Sequence, residues 1–304
     1  MFELQDIKKL NVAIDKIENK YIREKNVSLS ILRLDKIHPE ISGNKFFKLY
    51  YFLKKAIDQQ KKIITFGGSY SNHLAATASA CKIFGINCIG IVRGEQPKNI
   101  SHTLLFCQEQ GMQLEFISRE KYKTKDEIDL KTRLTNKFGE HILIPEGGFS
   151  EEGAKGAEII SSFYNAENFT HVCCAVGTTT TLGGLIRTSR PSQTILGFSA
   201  IKDLNDFEKR IQFLLENSIK KNYFLINNYH FGGYAKKPDE LILFMNNFYN
   251  EFKIPTDFVY TAKMMFGIID LIKRNYFSPG SKIICIHTGG LQGNFSLPDG
   301  ALNF

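Results

Sequence analysis

Lys45 heads the residues whose type and setting could carry chemistry. It lies in Ser42-Gly43-Asn44-Lys45-Phe46-Phe47-Lys48-Leu49, at a predicted helix start. A lone lysine there is ordinarily a surface residue, because desolvating its charge is costly. Its flank of glycine and then phenylalanine is apolar, which would lower its pKa and suit it to Schiff-base chemistry. A second segment, Gly67-Gly68-Ser69-Tyr70-Ser71-Asn72-His73, puts hydroxyl, amide and imidazole groups at another helix start. Read alone, it is equally an N-cap at Ser71 or Asn72 followed by an exposed His73. A third, Gly177-Thr178-Thr179-Thr180-Thr181-Leu182-Gly183-Gly184, turns a strand ending at Val176 into a helix beginning near Thr181. That geometry aims unpaired N–H groups and the positive helix end at one point, a cradle for phosphate. A plain threonine-capped turn fits the same residues. Two further glycine-rich loops are Gly147-Gly148-Phe149-Ser150 and His287-Thr288-Gly289-Gly290-Leu291-Gln292-Gly293.

These loops need elements to hold them. Short apolar runs recur at 62–66, 87–92, 113–117, 141–144, 171–176, 194–198, 223–226 and 282–286. Runs of this kind, apolar on both faces, are what parallel sheets require. Helical patterns fill the gaps at 72–84, 101–110, 125–138, 151–163, 204–215 and 239–252, with Gly85 and Gly111 as left-handed stops. Strands alternating with helices predict an α/β protein with parallel sheets, whose ligands gather at the carboxyl ends of the strands.

Motif absences narrow the chemistry. No G-x-x-x-x-G-K-[S/T] and no G-x-G-x-x-G stands at the threonine loop, which weakens ATP and dinucleotide readings. No G-x-S-x-G elbow supports a serine hydrolase. The seven histidines form no H-x-x-x-H pair, so no metal is expected.

The chain has 304 residues with a net charge of +8, enough length for two domains or one large one. Its lysine doublets (54–55, 61–62, 220–221 and 236–237) are spread along the chain and read as solvated turns and helix ends, not as a nucleic-acid surface. Six cysteines without C-x-x-C spacing, several in apolar runs, act as small reduced hydrophobes and suggest the cytoplasm. The N-terminal stretch alternates charged with apolar residues, which predicts neither a signal peptide nor a membrane anchor.

Taken in order, Gly43-Asn44-Lys45, Gly68 to His73, the threonine loop, Tyr260-Thr261-Ala262-Lys263 and His287 to Gly290 resemble one family. It is the D-cysteine desulfhydrase and 1-aminocyclopropane-1-carboxylate deaminase group, pyridoxal-phosphate enzymes of the tryptophan synthase β-like fold. The resemblance spans roughly residues 30 to 295. It implies two open, twisted, mostly parallel sheets flanked by helices. The large cofactor-binding domain would be residues 1–49 plus 151–304, and a small mobile domain would be residues 50–150. Lys45 would bind pyridoxal 5′-phosphate as a Schiff base and then shuttle the α-proton. Asn72 would meet the cofactor's phenolic oxygen, Gly177, Thr178, Thr179, Thr180 and Thr181 its phosphate, and Thr288 its ring nitrogen. Ser71, Asn72 and His73 would hold the substrate carboxylate, with Tyr70 projecting towards the substrate. Tyr260 and Tyr234 would be the active-site tyrosines.

The implied activity is a lyase that eliminates the β-substituent of a small amino acid, plausibly D-cysteine, giving a 2-oxo acid and ammonia. Thr261 matches the desulfhydrases, where the deaminases carry glutamate, so ring-opening is the less expected reaction. Racemisation is a further alternative, and a non-catalytic binder of an amino acid or of the cofactor is the rival from another class. The resemblance also implies a homodimer.

Overall fold

The apolar runs do become strands, and their alternation with helices builds two separate sheets. A computed structural model describes Asp6 and residues 10–38, 41, 43–215 and 222–304. Most of the stretch before Leu10, Ser42 and the 220–221 doublet, each read from the sequence above, lie outside the described residues.

In chain order, β1 (Ile14–Ile17), α1 (Lys20–Glu24) and β2 (Ser28–Leu32) precede α2 (Asn44–Asp58), which carries Lys45. Then come β3 (Lys62–Gly67), α3 (Asn72–Ile83), β4 (Cys88–Arg93), α4 (His102–Glu109) and β5 (Gln113–Ile117). They are followed by α5 (Arg119–Lys123), α6 (Ile128–Phe138), β6 (His141–Ile144) and α7 (Glu151–Glu158). The chain continues through β7 (His171–Val176), α8 (Thr180–Thr188), β8 (Thr194–Ser199), α9 (Phe207–Leu215) and β9 (Tyr223–Ile226). It ends with α10 (Asp239–Phe252), α11 (Thr261–Lys273) and β10 (Lys282–Ile286).

One sheet has the order β1-β2-β10-β7-β8-β9 and the other β5-β4-β3-β6. Only β1 runs antiparallel, at an edge; every other pairing is parallel. Parallel strands bury both faces, which explains the continuous apolar runs. β7, in the interior of its sheet, is buried from Val172 to Val176. A single apolar core joins residues of both sheets through α2, α3, α7 and α8, with Phe46, Phe47, Leu49 and Leu53 of α2 at its centre. The expected division at 49/50 therefore falls inside α2.

Two expectations of element extent need correction. The helix read as 125–138 is α6, which begins only at Ile128 after a turn at Thr124; the short α5 before it, Arg119–Lys123, was not predicted. The helix read as 151–163 is α-helical only to Glu158 and tightens into a 3₁₀ turn over Ile159–Phe163. β1, β2, α1 and α11 were not in the predicted set. All six cysteines are buried and free, in keeping with their reading as small hydrophobes. Among the described residues no helix is long and apolar enough to cross a membrane, and no cluster of metal-ligating side chains exists.

Candidate active site

The carboxyl ends of β3 and β7 face a cavity of about 560 Å³, with the start of α2 on its wall. Lys45, Tyr70, Ser71, Asn72, His73, Gly177, Thr178, Thr179, Thr181, Tyr234, Tyr260 and Thr288 all line it. Thr180 is fully buried directly behind this lining and shares a hydroxyl contact of 3.1 Å with Thr178. The segments singled out by sequence, up to 243 residues apart, thus converge on one place.

The entry into α2 is set by close backbone approach. Gly43 has φ +76°, and a Cβ there would lie 1.9 Å from the Thr288 carbonyl oxygen, so only glycine fits. The Asn44 N–H donates to that same carbonyl at 3.2 Å. Asn44 also donates from Nδ2 to Thr181 Oγ1 (2.7 Å) and accepts from Lys45 Nζ (2.9 Å) through Oδ1. One asparagine therefore ties the lysine to the threonine loop. The Lys45 amine sits 5.6 Å from the centroid of the Tyr260 ring. Burial pushes its pKa down to about 8, against the opposing pull of Asp257. Such an amine is partly neutral at physiological pH and can act as nucleophile or base.

Ser71 caps α3, accepting from the Leu74 N–H at 3.2 Å. Its own O–H stays free to donate, beside first-turn N–H groups that have no intrahelical partner. His73 is not the exposed first-turn residue that the bare motif allowed: it is 3% exposed. The Thr65 hydroxyl donates to the Ile144 carbonyl (2.9 Å), so His73 Nε2–H must donate to Thr65 (2.8 Å). Nδ1 is left as an acceptor without a partner. Burial, then the Lys48 and Lys45 charges, lower the His73 pKa to about 3, which keeps the ring neutral.

At the threonine loop, Thr179 takes a left-handed conformation (φ +63°) and caps α8. That turn directs the first N–H groups of α8 outward. Reasoning from sequence missed Lys48, which stands one helical turn after Lys45 and is 4% exposed. Its amine donates to the Gly147 carbonyl (3.1 Å) and lies 3.3 Å from Thr178 Oγ1. Burial first, and Lys45 second, hold its pKa well below the usual range. The available signal was the i, i+3 spacing, which puts both lysines on one helix face.

Asp257 was missed as well. It is fully buried, accepts from the N–H groups of Val259, Tyr260 and Thr261 at 2.9–3.0 Å, and accepts the Thr261 hydroxyl at 2.7 Å. It thereby fixes the start of α11 and the Tyr260 ring. Thr261, whose identity bore on the choice of reaction, points to Asp257 and does not line the cavity. Tyr234 comes from the Gly232-Gly233 loop, its ring centroid 6.0 Å from that of Tyr260. Burial raises both phenols, so both stay protonated. Lys263 of α11, 1% exposed, donates to the His230 carbonyl (2.9 Å) and the Gly233 carbonyl (2.7 Å), tying the Tyr234 loop to the helix behind Tyr260.

The arrangement suits a phosphorylated aldehyde. Lys48 is a buried amine with no carboxylate within ion-pair distance among the described residues, beside two hydroxyls and a helix N-terminus. A phosphate dianion would compensate all of them. Asn72 Oδ1, buried without a partner, faces the same space as the Lys45 amine. A Cβ on Gly177 would crowd the Tyr260 ring at 3.1 Å, so the glycine keeps that approach open.

Comparison with known proteins agrees. A family profile described as "Pyridoxal-phosphate dependent enzyme" matches residues 23–289. The chain belongs to this family. Pyridoxal phosphate is accordingly the cofactor, and the protein is an enzyme. A putative 1-aminocyclopropane-1-carboxylate deaminase of Thermotoga maritima is 29% identical over 273 residues, covering 84% of this chain and 86% of that protein. A bifunctional D-cysteine desulfhydrase/1-aminocyclopropane-1-carboxylate deaminase of Arabidopsis thaliana is 29% identical over 299 residues, covering 89% and 74%. The crystal structure of an ACC deaminase homologue superposes with a TM-score of 0.75 at 25% identity, over 93% of this chain and 90% of the other. The enzyme is thus of the deaminase and desulfhydrase type, with the two-sheet fold expected from its sequence.

Proposed function

We propose that this pyridoxal-phosphate enzyme is a lyase that eliminates the β-substituent of a small amino acid, releasing a 2-oxo acid and ammonia. The observation that carries the reading is the Lys45 amine, depressed to about 8, in one cavity with the free Ser71 hydroxyl and the α3 N-terminus. Bound there, the cofactor supplies a sink for the electrons of the substrate's Cα–H bond.

The protein's own groups do the rest. Lys45 would hold the cofactor, and its amine is placed to take the substrate's α-proton. Ser71 O–H and the N–H groups of Asn72 and His73 hold the α-carboxylate, at a helix end suited to an anion. Lys48, Thr178, Thr180 and the N–H groups of α8 hold the phosphate. Asn72 meets the phenolic oxygen with its amide. Thr288 would meet the ring nitrogen, with a hydroxyl and not a carboxylate to offer it. Tyr260 and Tyr234, kept neutral, can donate to the departing group. The unit built on β3 to β6 would close over the substrate and exclude water.

The test compares the visible absorbance of the wild type and Lys45→Ala after loading with pyridoxal phosphate. A band near the blue edge of the visible, absent in the variant, is expected. Oxo-acid release is then followed with D-cysteine, L-cysteine and 1-aminocyclopropane-1-carboxylate. Product from a cysteine and none from the cyclopropane supports elimination. Product from the cyclopropane alone, or loss of optical rotation without oxo acid, rejects it.

A further inference from the structure

Arg93 is the one charged group on the cavity wall that the reading above leaves without an anion. It is the last residue of β4, and β4 pairs in parallel with β3, Gly67 opposite Val92. Its guanidinium therefore emerges beside the loop that carries Gly68 to His73, with Nη2 3.9 Å from where a Cβ on Gly68 would stand. The guanidinium carbon lies 6.0 Å from the centroid of the Tyr122 ring, which backs it from the protein side. It lines the same cavity as Lys45, Ser71 and Tyr234.

The other charges on that wall have partners. Arg210 is held by Asp206 at 2.7 Å, and Glu146 lies 3.5 Å from Lys125. Lys48 and the α8 N-terminus match the cofactor phosphate, and Ser71 with the α3 N-terminus matches the α-carboxylate. Among the described residues no carboxylate comes within ion-pair distance of Arg93. Arg93 is exposed at the end of β4, and its guanidinium is free to make a charge-assisted pair with a ligand that brings an anion.

We infer that the substrate carries a second negative group on its β-carbon, and that Arg93 binds it. This rests on the lyase reading and narrows its substrate class. A guanidinium forms paired N–H···O bonds with a planar carboxylate or a tetrahedral oxyanion, which a neutral thiol or hydroxyl does not offer. The favoured substrates are then amino acids whose β-substituent is an oxyanion. In the elimination, Lys45 takes the α-proton and the Cα–Cβ double bond forms from the Cα–H electron pair. The substituent leaves as an anion with the electron pair of its bond to Cβ. Water hydrolyses the resulting enamine to oxo acid and ammonia, so no oxidant or reductant is needed.

The experiment pairs serine with O-phosphoserine, each as both enantiomers, on enzyme loaded with pyridoxal phosphate; because the two also differ in leaving group, the readout is how Arg93→Gln changes their ratio. The wild type should prefer the phosphorylated partner in kcat/KM, through its better leaving group and by about ten- to hundredfold more through one charge-assisted contact. Arg93→Gln should lower that ratio by about ten- to hundredfold, the part that the contact supplies. A second readout needs no turnover: the perturbation of the cofactor band on titration with aspartate against alanine should show the same preference and the same loss. Arg93→Lys, keeping the charge without the fork, should retain part of it. An equal loss for charged and neutral partners would place Arg93 at the α-carboxylate or the loop and overturn the inference. So would a preference that Arg93→Gln leaves unchanged by both readouts. Failure of the lyase reading is separate: it shows as no Lys45-dependent band, or as a band with no oxo acid from any amino acid.

Discussion

Gly156 lies in α7, outside the cavity, yet the position of Lys45 and Lys48 depends on it. A Cβ at residue 156 would stand 2.0 Å from the carbonyl oxygen of Phe47 and 3.5 Å from the Lys48 Cα. Ordinary contact begins near 3.4 Å, so Gly156→Ala must part α7 from α2 by about 1.4 Å. The obstacle is helix backbone, which cannot swing aside as a side chain can. Overpacking of this kind costs about 3 kcal/mol at the upper end, and alanine's helix propensity returns about 1 kcal/mol. A net loss of about 2 kcal/mol lowers Tm by about 4–8 °C. Because Phe47 lies between the two lysines, the displacement reaches the site, and a misplacement of about 1 Å costs on the order of a hundredfold in rate. The assays are thermal melting of the apoprotein, cofactor retention by visible absorbance, and turnover. Gly293→Ala is the control, since nothing lies within 4 Å of its added Cβ, and it should stay within about 0.5 kcal/mol of the wild type. A Gly156→Ala protein that melts with the wild type and turns over at full rate would refute the reasoning.

Other consequences follow from the buried polar groups. His73 is neutral with a folded pKa of about 3 against 6.5 unfolded, so the folded state binds fewer protons between those values. Its contribution is present above about pH 6.5 and is lost as pH falls towards 3; the urea midpoint should fall over that window, and His73→Gln should flatten the fall. Lys263→Met leaves the carbonyls of His230 and Gly233 without their donor, so amide exchange at Gly233 and Tyr234 should accelerate by at least tenfold; unchanged protection would remove Lys263 from its role in placing Tyr234. Arg33 is paired with Asp35 and Asp15 at 2.6 Å, with Asp35 itself 3% exposed. Arg33→Met should cost about 3–5 kcal/mol in urea unfolding, because it strands a buried carboxylate. Lys48, depressed by burial, should take up a proton when a phosphate dianion binds, so the affinity for pyridoxine phosphate, which lacks the aldehyde, should rise as pH falls below the usual lysine range. In Lys48→Met that slope should vanish, and a slope kept by the variant would assign it to another group.

The parallel strands were legible because burial on both faces leaves uninterrupted apolar runs, as in Val172 to Val176. β2 was missed because Ser28 and Ser30 break its run, although Ser30 is buried against β10 and β1. β1, an edge strand of four residues with two charges, offered too little apolar content to register. In the cavity, Lys45, Ser71, Asn72 and the threonine loop stood out by glycine and hydroxyl content, which local sequence reveals. Lys48, Asp257, Arg93 and Lys263 did not, because their meaning depends on what a distant segment places opposite them. Lys48 needs Gly147 and Thr178, 99 and 130 residues away, before it differs from any helix lysine. The same limit applied to His73, whose burial follows from Thr65 in the preceding strand.

The two lysines of α2 divide the work through their surroundings and not through their chemistry. Both lie on one face of one helix, and each makes the other's charge less favourable. Lys45 keeps a nearby carboxylate, Asp257, which offsets part of the burial and leaves it at about 8. Lys48 has a carbonyl and a hydroxyl only, and in their company its charged form is strongly disfavoured. A dianion at the start of α8 would reverse that order, charging Lys48 and leaving Lys45 the weaker base of the pair. A charged Lys48 in turn favours the neutral form of Lys45, which is the form able to attack an aldehyde. The dianion itself pulls the other way on Lys45, so the neutral fraction of that amine rests first on its burial, while the cradle's main effect is to charge Lys48.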